Sequence, residues 1–208
     1  MTDLNHLQNL LPQDGDVRYW PDFVEKEWQQ DLFEHLLNDI HWNQEPIWMF
    51  GKRVMQPRLT ALYGNTQIPY GYSGIIMEPK HWTNPLMQLK EKVSEVAGTN
   101  FSHVLLNLYR DGQDSMGWHR DNEKVLGNDP VIASLSFGAA RKFQLRHYKS
   151  KNPVITQLLE SGSLLLMRGS TQHHWEHQLP KTKLASGIRI NLTFRKVNPP
   201  AKATSRSL

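Results

Sequence analysis

Cysteine is absent from the 208 residues. That removes disulfides, zinc–thiolate sites and thiol nucleophiles together, so any metal ion here must be held by nitrogen and oxygen. Long apolar runs are missing too: no stretch approaches the roughly 18 residues that span a bilayer. The opening MTDLNHLQNLLPQDGD has neither a basic n-region nor an apolar h-region. The expectation is a soluble, cytoplasmic protein with no membrane partner. Internal repeats, low-complexity tracts and an obvious linker are lacking as well, which points to one domain over 1–208. The charge is not extreme: the formal value of +4 suits a polyanionic partner without demanding one.

What is present changes character at Gly98. Upstream, DFVEKEWQQDLFEHLLNDI and NPLMQLKEKVSEVAG carry helical periodicity. In the first, Asp22 and Glu25 match a capping box, and Trp28, Leu32, Leu36 and Ile40 form one stripe. In the second, Asn84 serves as cap, Pro85 suits the first turn, Leu86, Leu89, Val93 and Val96 share a face, and Gly98 ends the helix. Residues 43–82, between these helices, are rich in Pro, Gly and Tyr and read as short strands and loops.

Downstream the period falls towards 2. FSHVLLNLY, VIASLSF, KFQLRHY, VITQLL, SLLLM, HHWEHQL and IRINLTFRK are separated by the turn clusters DGQD, FGAAR, KSKNP and ESGS. Seven short strands without an intervening helix predict an α+β, mostly β fold: an antiparallel jelly-roll barrel buttressed by N-terminal helices. The tail NPPAKATSRSL has no apolar pattern and reads as disordered.

Three segments carry candidate chemistry. GWHRDNE holds His119 and Asp121 one residue apart, which suits two ligands of one ion. Yet 10 His and 10 Asp give about half a His-x-Asp pair by chance, so the motif decides nothing by itself. In HHWEHQLP, His177 shares the parity of Trp175 and Leu179 and is preferred as a third ligand over His173 and His174. Two His and one carboxylate leave coordination positions open, which suits iron(II) with a cosubstrate and oxygen; a zinc hydrolase could use the same set.

In the last strand Ile188, Ile190, Leu192 and Phe194 point one way, and Arg189, Asn191, Thr193 and Arg195 the other. Taken alone it is a half-buried strand with a wet polar face. In a barrel, the polar face can look inward, and two guanidiniums there require anions. Six residues at about 3.3 Å separate the arginine Cα atoms by about 20 Å, leaving room between the side chains for a small diacid such as a five-carbon keto-diacid. Asn107 and Tyr109 share a face of FSHVLLNLYR and can offer that diacid an amide and a phenol. The paired arginines argue against the zinc alternative.

NLYRDG, WHRDNE, ASLSFGAARKFQLRH, GSLLLM, HWEHQLP and RINLTFR follow in this order over residues 101–196. In that ordered set the chain resembles the AlkB-type Fe(II)/2-oxoglutarate-dependent dioxygenases that dealkylate nucleic acids, and above all those acting on duplex DNA. The resemblance implies a double-stranded β-helix, with a catalytic jelly roll at 98–196 and a nucleotide-recognition lid at 43–82. It also implies that His119, Asp121 and His177 bind iron(II). Asn107, Tyr109, Arg189, Asn191 and Arg195, with Thr193 on the same face, would hold 2-oxoglutarate.

Upstream, WMFGKRVMQPRLTALYGNTQIPYGYSG resembles the lid of the duplex-acting members. Phe50, between Met49 and Gly51 and followed by Lys52 and Arg53, would be an apolar wedge entering the base stack. Tyr70 and Tyr72 would stack on the flipped base, with Arg58 and Arg146 nearby. After Asp121 the chain departs from the pattern: relatives often carry a second acid, whereas here Asn122 precedes Glu123, and a neutral amide attracts a cationic methylated base less strongly.

The implied reaction is oxidative demethylation of 1-methyladenine and 3-methylcytosine by a monomer, consuming O2 and 2-oxoglutarate and releasing formaldehyde, succinate and CO2. Two other readings remain: the same chemistry on RNA, a protein or a small molecule, and a non-catalytic barrel that only binds altered bases.

Overall fold

The computed structural model describes residues 6–49, 51–72, 75–183 and 187–199. In chain order it contains β1 (Asp16–Trp20), α1 (Lys26–Asn38), β2 (Pro46–Met49), β3 (Lys52–Met55), β4 (Leu59–Gly64), β5 (Tyr70–Tyr72), β6 (Ile75–Met77) and α2 (Asn84–Ala97). There follow β7 (His103–Tyr109), β8 (Met116–His119), β9 (Ile132–Gly138), β10 (Arg141–His147), β11 (Val154–Leu159), β12 (Leu164–Arg168), α3 (Thr171–His174), β13 (Trp175–Leu179) and β14 (Arg189–Arg195).

From β7 onward the strands alternate between two facing sheets, except that β10 and β11 form a hairpin within one of them, and this is the double-stranded β-helix. One sheet runs β1-β12-β9-β14-β7-β4 and the other β11-β10-β13-β8. The seven strands expected from periodicity are all present. Three that pair with them were not singled out: β1, which lines up with β12 from Asp16↔Arg168 to Trp20↔Leu164; β4, which pairs with β7; and β8, which pairs with β13. The segment expected as one strand, HHWEHQL, begins as the helical turn α3 and becomes extended only at Trp175.

Two apolar clusters explain why β14 alternates as it does. Its Ile190, Leu192 and Phe194 join Leu36, Leu86, Leu89 and Val93 in the layer between the large sheet and the two long helices. The opposite face of the large sheet looks into the barrel, where Leu105, Ile132, Phe143, Leu145 and Trp175 form a second cluster. Because β14 lies between β7 and β9, all seven of its residues are buried, and its polar side chains have nowhere to go but the lumen.

The helices differ from expectation at their ends. Glu25 occupies the N-cap of α1 without a side-chain capping bond, so the Asp22–Glu25 box does not form. Trp28 is 61 % exposed, whereas Leu36 and Ile40 are buried. α2 is capped by Thr83 rather than Asn84, the Thr83 side chain accepting from Leu86 N. Gly98 ends α2 at φ 61°, where a left-handed residue closes the helix. Among the described residues no helix is long and apolar enough to cross a membrane.

Candidate functional site

The small sheet contributes the candidate metal ligands. His119 ends β8 and pairs across the ladder with His177 on β13, and the two ring centroids lie 4.2 Å apart. Asp121 sits two residues on, its backbone N–H donating to the side chain of the fully buried Gln172 at 2.9 Å. One ligand atom from each of His119, Asp121 and His177 lies within 4.8 Å of the others. His119 Nδ1 is 2.8 Å from the Gly117 carbonyl. A carbonyl can only accept, so Nδ1 carries the proton and Nε2 keeps its lone pair for a cation.

The charge states suit the same task. Burial, followed by the neighbouring His119, pushes His177 down to about 3, and burial also lowers His119, so both imidazoles are neutral at physiological pH. Burial alone would raise the Asp121 carboxyl, but the Arg195 guanidinium and the two imidazoles hold it at about 2. Neutral His and ionised Asp are the ligand forms that iron(II) takes. The donor set therefore fits the metal: nitrogen and oxygen, correctly protonated, with second partners that fix orientation.

The large sheet supplies the cations. Arg195 donates to Asp121 Oδ1 at 3.0 Å, both side chains being almost inaccessible, while its Nε and one terminal nitrogen have no partner among the described residues. Arg189 is 2 % exposed and donates to Ser136 Oγ at 2.9 Å; among the described residues its Nε has no partner and no carboxylate pairs with it. Burial pushes Arg189 down to about 10, still leaving it cationic. Arg189 is directly opposite Tyr109, and Asn191 opposite Asn107.

All nine residues just discussed as ligands or anchors, His119, Asp121, His177, Asn107, Tyr109, Arg189, Asn191, Thr193 and Arg195, line one cavity. Two buried guanidiniums face one buried carboxylate there, leaving an excess positive charge that an anionic guest would compensate. Thr193 and Asn191 are already committed to each other: Thr193 donates to Asn191 Oδ1 at 3.0 Å, and Asn191 donates to Ser134 Oγ and the Leu135 carbonyl. Their part is to hold the wall of the cavity.

The base-pocket residues separate from the sequence reading. Arg58 is buried and donates to Asn107 Oδ1 at 2.8 Å, so it orients a cavity amide instead of meeting a base. Arg146 is ion-paired with Glu176 and lies 4.0 Å over the Trp118 ring, on the outer side of the small sheet. Tyr70 is fully buried, 5.6 Å from the Arg195 guanidinium, so its ring is not offered for stacking. It interacts with the Glu123 carboxyl, which burial and the nearby Asp121 raise. Asn122 is exposed beside them. Phe50 and the Tyr72 side chain lie outside the described residues.

Four positioning residues were not foreseen. Gln172 anchors the Asp121 loop, and Ser134 and Ser136 on β9 tie down Asn191 and Arg189. A buried Arg141 binds the carbonyls of Asp111, Asp114 and Pro180, bracing the loop after Tyr109. The alternation of Ser134 and Ser136 in ASLSF was the one available signal.

A two-histidine, one-carboxylate cluster beside paired arginines inside a jelly roll defines the class of iron-dependent oxygenases. The model of the 2OG-Fe(II) oxygenase superfamily matches residues 16–195, and the chain belongs to that family, whose cofactor and cosubstrate are iron(II) and 2-oxoglutarate. The chain is 43 % identical over 188 residues to the alpha-ketoglutarate-dependent dioxygenase alkB homolog 3 of Bos taurus, covering 86 % of this chain and 65 % of that protein. It is 44 % identical over 185 residues to the DNA oxidative demethylase ALKBH2 of Bos taurus, covering 84 % and 66 %. The chain thus spans about two thirds of the length of these relatives. A solved structure described as that of OsALKBH1 superposes with a TM-score of 0.64 at 16 % identity, covering 86 % of this chain and 97 % of that one, which supports the fold.

Proposed function

We propose that the chain is an oxidative demethylase of N-alkylated bases in DNA, acting on 1-methyladenine and 3-methylcytosine. The observation that carries this reading is the single cavity that joins His119, Asp121 and His177 to Arg189 and Arg195. Iron(II) held by the three ligands, with 2-oxoglutarate and O2, supplies the oxidising power. The reaction balances as follows: N-methyl base, O2 and 2-oxoglutarate give free base, formaldehyde, succinate and CO2, by way of an N-hydroxymethyl group that loses formaldehyde.

The protein's share is positioning. Arg189, with Ser136 and Tyr109 behind it, receives the far carboxylate of 2-oxoglutarate. Arg195 keeps Asp121 ionised with one nitrogen and offers its unpartnered nitrogens to the near end. Asn107, oriented by Arg58, completes the contact. Glu123, next in the chain after Asn122, supplies to a flipped base the carboxyl that Asn122 does not.

Residues 43–82 serve as the lid. Their projecting hairpin β2–β3, all of whose β3 residues are exposed, carries Lys52 and Arg53 towards phosphates. The names of the relatives, one of them a DNA oxidative demethylase, support the choice of DNA.

The test presents methylated oligonucleotides, single- and double-stranded, DNA and RNA, with iron(II) and 2-oxoglutarate, and reads product masses. Loss of one methyl group with stoichiometric formaldehyde and succinate is expected on DNA. Succinate formation that no nucleic acid stimulates would overturn the substrate, and the absence of turnover with every oligonucleotide would overturn the reading.

A further inference from the structure

A second cluster of ligand-type side chains sits at the rim of the barrel, apart from the cavity. Asp14, in the segment before β1, His147, at the end of β10, and His174, at the end of α3, each bring one ligand atom to within 4.8 Å of the other two. Three chain segments far apart in sequence supply them. Nothing in the chemistry above uses any of the three.

The spacing is that of ligands around an ion. His147 Nε2 and Asp14 Oδ2 are 3.6 Å apart. That is too long for a hydrogen bond. Two ligands bonded at about 2.1 Å to one tetrahedral ion stand about 3.4 Å apart. His147 Nε2 is also buried with no hydrogen-bond partner among the described residues, although its side chain as a whole keeps 13 % exposure. A buried ring nitrogen left without a partner costs free energy that a cation would recover.

The groups are held in place before any ion arrives. The His147 ring stacks on that of His174 with 8° between planes and meets Trp175 edge-on at 5.5 Å. The backbone on both sides of Asp14 is anchored: the Gln13 carbonyl accepts from Trp175 Nε1 at 3.0 Å, and Asp16 N–H donates to Thr171 Oγ1 at 2.9 Å. The Tyr148 N–H donates to the His174 carbonyl at 2.6 Å, tying the two histidine segments together. The Ser150 N–H approaches His147 Nδ1 at 3.5 Å, too long to fix the tautomer.

We propose that Asp14, His147 and His174 form a second site for a divalent transition metal of the zinc class, with water completing the shell. Two imidazoles and one carboxylate, without thiolates, suit zinc, copper(II) or nickel(II) over calcium or magnesium, which want oxygen only. The bound ion pins the segment ahead of β1 to the end of the β10–β13 pair, three residues from His177. It has a structural role there and is independent of the cavity chemistry.

Equilibrium dialysis of the metal-stripped chain against zinc, with metal counted per chain, tests it. The unmodified chain is expected to hold two equivalents, Asp121→Ala one, Asp14→Asn/His174→Ala one, and all three substitutions combined none. Zinc at about a hundredfold excess over its Kd should raise the melting temperature of Asp121→Ala by roughly 5–10 °C and leave Asp121→Ala/Asp14→Asn unmoved. Asp14→Asn alters a side chain that is 47 % exposed, so that arm reads binding without loss of fold. One equivalent on the unmodified chain, or a second equivalent that survives Asp14→Asn/His174→Ala, overturns the proposal. The Asp121→Ala arm reports on the cavity site separately.

Discussion

Arg195 and Asp121 form an ion pair of 3.0 Å inside the barrel, joining the last strand of the large sheet to the metal-ligand loop of the small one. Neither side chain reaches water, so each depends on the other for its charge. Removing one partner of such a pair strands the other, at about 3–5 kcal/mol. Arg195→Met is therefore expected to lower the melting temperature of the metal-free protein by roughly 10 °C for a chain of this size. Added divalent metal should restore part of the loss, since a cation at Asp121 replaces the missing guanidinium. Calorimetry with and without metal checks both; an unchanged melting temperature would show that the pair is dispensable.

Arg189 has no carboxylate of its own. Replacing it by Met removes a charge-assisted contact to an anionic guest worth about 1.5–3 kcal/mol, or roughly 10- to 150-fold in the apparent KM for 2-oxoglutarate. Iron(II) affinity should stay constant, because Arg189 touches none of the three ligands. Succinate formation against 2-oxoglutarate concentration, beside a metal titration, separates the two. A loss confined to iron affinity would contradict the assignment.

Gly138 lies at φ 80°, and a Cβ there would stand 2.4 Å from the Ile188 carbonyl oxygen and 2.6 Å from the Phe33 ring. Backbone strain and steric overlap act together, since the nearer atom is backbone and cannot swing away. Gly138→Ala is expected to destabilise by about 2–4 kcal/mol. Denaturant unfolding measures it; a change below about 0.5 kcal/mol would mean that the turn between β9 and β10 can relax.

Asp114 accepts from Arg110 at backbone N, Nε and a terminal nitrogen, at 2.9, 2.7 and 2.8 Å. Burial alone would raise its carboxyl, but these bonds hold it below the ordinary value. A carboxyl depressed in the folded state adds stability above its unfolded pKa, and that stability is lost as pH falls through the folded one. The stability advantage of the unmodified chain over Asp114→Asn should thus be full at pH 6 and shrink below about pH 4. Unfolding curves across that range decide; a pH-independent difference would show that the carboxylate charge is immaterial.

Phe50 is the proposed duplex wedge. Phe50→Ala should weaken demethylation of a double-stranded oligonucleotide far more than of the same single strand, because only the duplex requires a base to be replaced in its stack. Equal losses on both would remove the wedge from the mechanism.

Much of this was legible because the signals are periodic. Strict alternation in IRINLTFR separated the two faces that the structure turns to the helices and to the cavity, and parity in WEHQL singled out His177, which lines that cavity. What escaped lacked periodicity or depended on a distant partner. DVRYW is a short strand with weak alternation, recruited by β12 across some 150 residues of sequence. Thr83 outcompetes Asn84 because it sits just ahead of the proline turn. Arg58, Arg146 and Tyr70 were assigned to a base by residue type, yet charge and aromaticity do not reveal that the partners are Asn107, Glu176 and Glu123. Gln172 could not be foreseen, since its contact is to the backbone of a loop from another part of the barrel.

Among the described residues the strand that carries both lumen cations is the last to be synthesised, and it is seated between β9 and β7. Until it is threaded into that slot, the large sheet is split into two unpaired halves, and the histidines face an unwalled space without Arg189 and Arg195. Closure of the sheet and arrival of the two arginines are therefore one event, so on the proposed reading a half-assembled barrel would hold a cation without the means to hold its cosubstrate.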